Sequence, residues 1–218
     1  YKQTILGPLW HFIQPVFTTL VFLLVFGKIA NIPTDGVEPK LLFFMSGITI
    51  WNYFASCLTA TSSTFVANAA IFGKVYFPRL VIPLSTVISN MVKFGIQFLL
   101  LLAMIIFYGI KSGHMHFGTS WLLIPLLVLM MAGLGLGLGI IISSLTTKYR
   151  DFNILIGFAV QLLMYAAPVA YPLSYLKGMW YASWIKWNPL TPIIEGFRYA
   201  LFEKGTVDAA GLLYSGGF

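Results

Sequence analysis

The sequence LLFFMSGITIWNYFASCLTATSSTFV, residues 41–66, contains no Asp, Glu, Lys or Arg. A helix of about 20 apolar residues is long enough to cross the ~30 Å hydrocarbon core of a bilayer. This run is therefore predicted to be a membrane-spanning helix. Its hydroxyl and amide side chains indicate that one side of the helix does not face lipid, because lipid offers them no hydrogen-bonding partner.

Comparable apolar runs flank this one at residues 9–30, 81–110, 119–145 and 152–172. Hydrophobic residues make up 59% of the 218-residue chain and charged residues only 9%, against about a quarter charged in an ordinary soluble domain. The sequence thus predicts an all-α, polytopic membrane helical bundle with five complete spans. The short loops on the same side of the membrane as the N-terminus contain slightly more Lys and Arg than the short loops on the other side. This bias favours a cytoplasmic N-terminus.

The segment that follows, 173–208, combines aromatic residues with prolines that interrupt any long helix. Aromatic rings with a polar atom favour the headgroup level of a membrane, so we expect two short re-entrant helices at the outer face. We expect these helices to form an outer gate, in which two charged residues spaced three apart form a pair. The predicted gate residues are Trp180, Trp184, Trp187, Glu195 and Arg198.

The last residues, GLLYSGGF at 211–218, read as the first part of a sixth span. We therefore expect residues 1–218 to be one membrane domain taken from a longer protein.

Polar side chains within residues 41–66 recur at helical spacing. We interpret them as lining a hydrated translocation path, with Ile48 and Leu58 on the lipid-facing side. The alternative is that they bond their own backbone and allow close packing, as hydroxyls often do in membranes. The predicted path residues are Ser46, Thr49, Asn52, Tyr53 and Ser56.

Glycines alternate in the sequence MAGLGLGLGIIISSL, residues 131–145. Gly133 and Gly137 fall on one side of a helix, and Gly135 and Gly139 fall on roughly the opposite side. Each pair permits close helix approach, so we expect neighbours on both sides. The pattern is not a nucleotide-binding fingerprint, because no strand precedes it.

Lys93 lies well inside the apolar run at residues 81–110. A charge at the membrane centre would cost about 2.5–3.5 kcal/mol. We expect the crossing to begin near residue 94, so that Lys93 reaches the cytoplasmic surface; a buried functional lysine is the alternative.

Catalytic and nucleotide-binding patterns are missing from the sequence. It has no phosphate-binding loop and no metal-ligand spacing, and all six acidic residues fall outside the five predicted spans. A proton relay through membrane carboxylates is therefore not expected. Basic residues are scattered singly between spans, which does not favour nucleic-acid binding. Any ATP and Mg²⁺ would sit on another chain, so no cofactor is expected here.

The sequence NAAIFGKVYFPRLVIPL, residues 68–84, places aromatic residues and two cations between apolar runs. We interpret it as a short inner-side helix, ended by Pro78 or Pro83, that inserts into a soluble partner. A helix held on lipid headgroups is the alternative. The predicted contact residues are Lys74, Tyr76, Phe77, Pro78 and Arg79.

Four stretches together resemble the membrane subunit of ABC-2 polysaccharide exporters, which move O-antigen, capsule or teichoic acid chains. They are YKQTILGPLWHFIQP at 1–15, the segment 68–84, YRDF at 149–152 and NPLTPIIEGFRYALF at 188–202. The resemblance implies six spans per subunit, a homodimer and two ATPase subunits beneath it. Residues 68–84 would be the coupling helix, and Arg150 and Asp151 would lie in a cytoplasmic loop.

The function implied by this resemblance is ATP-driven export of a lipid-linked polysaccharide across the bacterial inner membrane. Export of teichoic acid, or of a small molecule or drug, is the alternative within the same fold. A membrane-embedded glycosyl or acyl transferase is a further alternative, which would need a cluster of catalytic carboxylates. By the same resemblance, the missing parts of the domain would be an amphipathic helix before the first span and the rest of the sixth span.

Overall fold

The computed structural model describes residues 10–69, 78–112, 118–149, 151–176, 178–205 and 207–218. These ranges are mostly helical and contain no β-strand, which confirms the all-α class. The longer helices are α1 at Trp10–Phe22, α2 at Lys40–Ser62, α4 at Val81–Ser112 and α5 at Leu123–Lys148. Helix α1 continues as a π-helical segment at Leu23–Ile29, and a 3₁₀ turn at Thr119–Leu122 precedes α5. The shorter helices are α3 at Thr64–Ala67, α6 at Phe152–Ala166, α7 at Ala182–Trp187, α8 at Leu190–Phe202 and α9 at Ala209–Gly217.

Four helical segments of the described ranges are long and apolar enough to cross a membrane. They lie at Phe12–Ile29, Lys40–Ser62, Val81–Lys111 and Thr119–Lys148. The fifth predicted span is shorter than expected, because α6 ends at Ala166 rather than at residue 172. Pro168 disfavours helical geometry at the residue before it, and Ala167 is extended. The count of five complete spans, the re-entrant helices and the sixth span stay predictions.

Helix α2 lies at the centre of the bundle and packs chiefly against α5 and α4. Its side chains are buried in most directions, with Phe44 and Phe54 completely enclosed. The prediction that Ile48 and Leu58 face lipid is wrong, because only 1% and 4% of these residues is exposed. Neighbouring helices cover both side chains on the face of α2 that was assigned to lipid.

The contact between α2 and α5 depends on two glycines of α5. A Cβ atom added at Gly135 would lie 2.8 Å from Cys57 Cβ, and one added at Gly139 would lie 2.5 Å from a side-chain carbon of α2. Real Cβ contacts are not that short, so the two helices approach as closely as glycine allows. A Cβ atom added at Gly133 or Gly137 would have no described neighbour outside its own helical turn within 4 Å. Of the two close contacts predicted for α5, the described residues therefore form one.

Helix α4 begins at Val81 and runs without interruption to Ser112. Pro83 lies in its first turn, where a backbone N–H has no helical partner to lose. The sequence-based suggestion that Pro83 ends a helix is therefore wrong, whereas Pro78 lies outside the helix, just before a turn at residues 79–80.

Loops from distant parts of the chain meet at one end of the bundle, and we call this region the cap. Ser174 donates a hydrogen bond to Asp35 over 2.5 Å, and Ser120 donates one to Glu203 over 3.0 Å. The first bond joins the loops that follow α1 and α6, and the second joins the loop that follows α8 to the start of α5. Lys204 Nζ connects these two pairs, because it donates to the carbonyl of Gly36. The cap comprises residues 31–39, 118–122, 171–176 and 203–205.

Candidate functional site

A polar groove of about 540 Å³ lies between α1, α2 and α4. Amide, hydroxyl and ammonium side chains from all three helices line it, in a part of the bundle that is otherwise apolar. The groove is defined here by six of its polar residues, Asn52, Ser56, Thr59, Asn90, Lys93 and Gln97.

Two amide hydrogen bonds join α2 to α4 along this groove. Asn52 Nδ2 donates to Gln97 Oε1 over 3.3 Å, and Asn90 Nδ2 donates to the carbonyl of Ser56 over 3.3 Å. Lys93 lies between Asn90 and Gln97, at helical intervals of three and four residues that keep all three on one face of α4. The α2–α4 contact is therefore held partly by polar groups.

The structure divides the residues predicted to form one path. Ser46 and Thr49 are buried and donate to the carbonyls of Phe43 and Met45 in their own helix, each over 2.8 Å. The other three members line the groove, namely Asn52, Tyr53 and Ser56. Their role in transport stays a prediction.

Accessibility to a water-soluble thiol reagent distinguishes these two groups. In a Cys57→Ala background, we expect Asn52→Cys and Ser56→Cys to react, because both positions line the open groove. Ser46→Cys should stay unlabelled because Ser46 is fully enclosed. Ile50→Cys is the control for a buried apolar position on the same helix. Labelling of positions 46 and 50 as fast as position 56 would contradict the groove.

Asn90 and Gln97 are groove residues that were not predicted from the sequence. A usable signal was present, because Asn90, Lys93 and Gln97 are the polar residues of one face in an otherwise apolar stretch of α4. Lys93 alone does not indicate a groove, whereas Lys93 together with the two amides on the same face of α4 does.

A second buried polar cluster surrounds Arg198 on α8. Its guanidinium donates to the carbonyl of Pro168 over 2.6 Å and also to the carbonyl of Val169. It lies 3.8 Å from the ring centroid of Phe43, a cation–π contact. Arg198 thus joins α8, α2 and the segment that follows α6.

Glu195 forms the ion pair that the sequence predicted with Arg198. The Nη1 and Oε1 atoms are 3.2 Å apart, and both side chains are buried. Burial raises the pKa of the Glu195 carboxyl, and the Arg198 guanidinium opposes that shift. Gly47 makes room for the cluster, since a Cβ at that position would lie 2.5 Å from Arg198 Nη2.

The three tryptophans assigned to the outer gate are exposed, whereas its charged pair is buried. Trp180, Trp184 and Trp187 each have more than 70% of their surface accessible. They lie on and just before α7, which packs against α8. The gate itself stays a prediction.

Three of the five predicted partner-contact residues lie outside the described ranges, namely Lys74, Tyr76 and Phe77, and so does Arg150 of the predicted cytoplasmic loop. Pro78 and Arg79 are exposed just before α4, and Asp151 is exposed just before α6. These helix starts lie at the end of the bundle opposite the cap. Among the described residues, no three His, Cys, Asp or Glu side chains lie close enough together to hold a metal ion.

Comparison with known proteins identifies related sequences along the whole chain. The family model described as ABC-2 type transporter matches residues 1–202. Two relatives from Klebsiella pneumoniae, each named O-antigen export system permease protein RfbA, are 29% and 30% identical. They align with 100% and 95% of this chain and with 82% and 77% of their own lengths. The polysialic acid transport protein KpsM of Escherichia coli is 22% identical over 96% of this chain and 79% of its own length. The chain is a multi-pass protein of the bacterial inner membrane, and it belongs to the ABC-2 type transporter family.

Proposed function

We propose that this chain is the membrane subunit of an ATP-driven exporter that moves a lipid-linked polysaccharide, of the O-antigen type, out of the cytoplasm. The observation that carries the proposal is the similarity to O-antigen export permeases over nearly the full chain. The more distant similarity to a polysialic acid transport protein favours a polysaccharide cargo over a small molecule or drug.

The groove supports the same proposal. Sugar hydroxyls exchange hydrogen bonds with amide and hydroxyl side chains, which are the groups that α2 and α4 place beside each other. In this proposal ATP and Mg²⁺ bind to separate ATPase subunits, and two copies of this chain enclose the path. Teichoic acid export stays the alternative, since its cargo is also a lipid-linked polymer.

Deletion of the gene in its native strain, followed by complementation, tests the proposal. We expect the deletion strain to lose surface polysaccharide and to accumulate lipid-linked glycan on the cytoplasmic side, because synthesis continues without export. Complementation should restore both. Normal surface polysaccharide in the deletion strain would contradict the proposal, and loss of a teichoic acid instead would favour the alternative.

Association with the ATPase is expected to depend on residues 68–84. Replacing both Tyr76 and Phe77 by alanine should reduce the ATPase retained on the purified permease at least about tenfold, because buried aromatic anchors at interfaces contribute about 2 kcal/mol or more each. Co-purification from membranes measures the retained ATPase. The control replaces Trp180 and Tyr181, neighbouring aromatics at the opposite end of the bundle. Equal retention in both variants would contradict the assignment.

A further inference from the structure

Lys93 has no carboxylate partner within the chain. All six acidic residues are described, and none forms an ion pair with it. Glu195 pairs with Arg198, Asp208 pairs with Lys186, and the remaining acids lie in the cap or beside α6. A cation at the edge of a membrane, without a counter-ion in its own protein, favours an anionic ligand.

The position of Lys93 along α4 places it at headgroup depth. About 20 helical residues cross the hydrocarbon core, and α4 carries Lys111 in its last turn. Counted back from Lys111, that length reaches about Val92. Lys93 therefore lies at the boundary between hydrocarbon and headgroups, on the side opposite the cap.

Hydrogen-bond donors surround this cation on the protein side. The amides of Asn90 and Gln97 flank Lys93 on α4, and Asn52 and Ser56 face it from α2. Charge-assisted hydrogen bonds to such groups are the strongest contacts that a phosphate oxygen makes in proteins. The groove therefore offers a phosphate one full charge and several amide donors.

Apolar side chains flank the same groove on the outside of the bundle. Phe17 and Val21 of α1 are 64% and 56% exposed, and they follow Gln14, which lines the groove, at helical intervals of three and seven residues. A ligand that contacts Lys93 with its head would therefore lay its tail along apolar surface. This combination selects an amphiphile over a free anion.

We propose that Lys93, with the amides of Asn52, Asn90 and Gln97, binds the phosphate-bearing headgroup of a lipid whose tail lies along α1. The inference rests on the proposed function, because this lipid would be the carrier to which the exported polymer is attached. It assigns the phosphate contact to the α2–α4 groove and not to the cap.

Native mass spectrometry of the purified full-length protein tests this site with three probes, namely phosphatidic acid, the diacylglycerol with the same acyl chains, and inorganic phosphate. We expect phosphatidic acid to bind more tightly than either of the others. Lys93→Gln should weaken its binding about tenfold, which is about 1.4 kcal/mol, and should leave diacylglycerol unaffected. Lys93→Arg should retain binding, because the charge is kept.

Lys111→Gln is the matched control, since it removes a lysine from the other end of the same helix. Unchanged thermal unfolding of both glutamine variants shows that they fold. Equal losses at positions 93 and 111, no loss at position 93, or equally tight binding of inorganic phosphate would each overturn the proposal.

Polysaccharide export is measured separately, in the complemented strain, so that the two proposals fail independently. Export by a protein whose lipid binding ignores Lys93 would overturn the site alone. Lysine-dependent lipid binding by a protein that exports no polysaccharide would overturn the proposed function alone.

Discussion

Arg198→Ala is expected to be the most destabilising single change in the described part of the chain. It would leave Glu195 buried without its cation and the carbonyls of Pro168 and Val169 without their donor. Removing one partner of a buried pair costs about 3–5 kcal/mol, a large share of the 5–15 kcal/mol that stabilises a typical protein. Thermal unfolding and the yield of monodisperse protein measure the loss. Export should fall with it.

Two further variants test the cause. Arg198→Lys should not restore stability, because an ammonium cannot donate to several fixed acceptors as a planar guanidinium does. Glu195→Ala combined with Arg198→Ala should cost less than the sum of the single changes. Lys186→Ala is the control, since its pair with Asp208 is 3.8 Å long and exposed, and such pairs contribute at most about 1 kcal/mol. Strictly additive effects would contradict a coupled pair.

Gly139→Leu is expected to separate α2 from α5. Even the Cβ atom would lie 2.5 Å from a carbon of Thr61, and overpacking of a tight core costs about 1–3 kcal/mol or more. Gly137→Leu is the matched control two residues away, where nothing lies within 4 Å of a Cβ. Because leucine favours helix over glycine by nearly 1 kcal/mol, the control should be neutral or slightly stabilising.

The unfolding temperatures of the two leucine variants, measured in the same detergent, give the comparison. A clear decrease for Gly139→Leu alone supports the close contact seen here. Equal decreases would mean that the face carrying Gly137 is also packed against a neighbour in the solubilised protein.

Hydropathy identified the long helices from the sequence, because crossing a bilayer requires about 20 apolar residues whatever surrounds them. It did not identify which helix lies in the centre. Lipid tails are as apolar as leucine, so the apolar positions Ile48 and Leu58 look the same whether they contact lipid or protein. The assignment of both to lipid failed for this reason.

Local spacing predicted the Glu195–Arg198 pair, because residues three apart are neighbours on a helix. It did not predict how deeply the pair is buried. The carbonyls that receive the guanidinium belong to residues 168 and 169, and the space for it comes from Gly47, so the cluster depends on contacts that are distant in the chain. The groove likewise combines α2 with α4, whose pairing no local pattern specifies.

The central position of α2 has a consequence for biosynthesis. Of the four helices long enough to cross a bilayer, α2 has the lowest mean hydropathy and the largest buried share. Its closest partner, α5, is translated more than sixty residues later, several seconds at about 5–20 residues per second. Until then the side of α2 that packs against α5 faces the insertion machinery or lipid. The least apolar of the four segments is therefore retained in the membrane by a helix that is made after it.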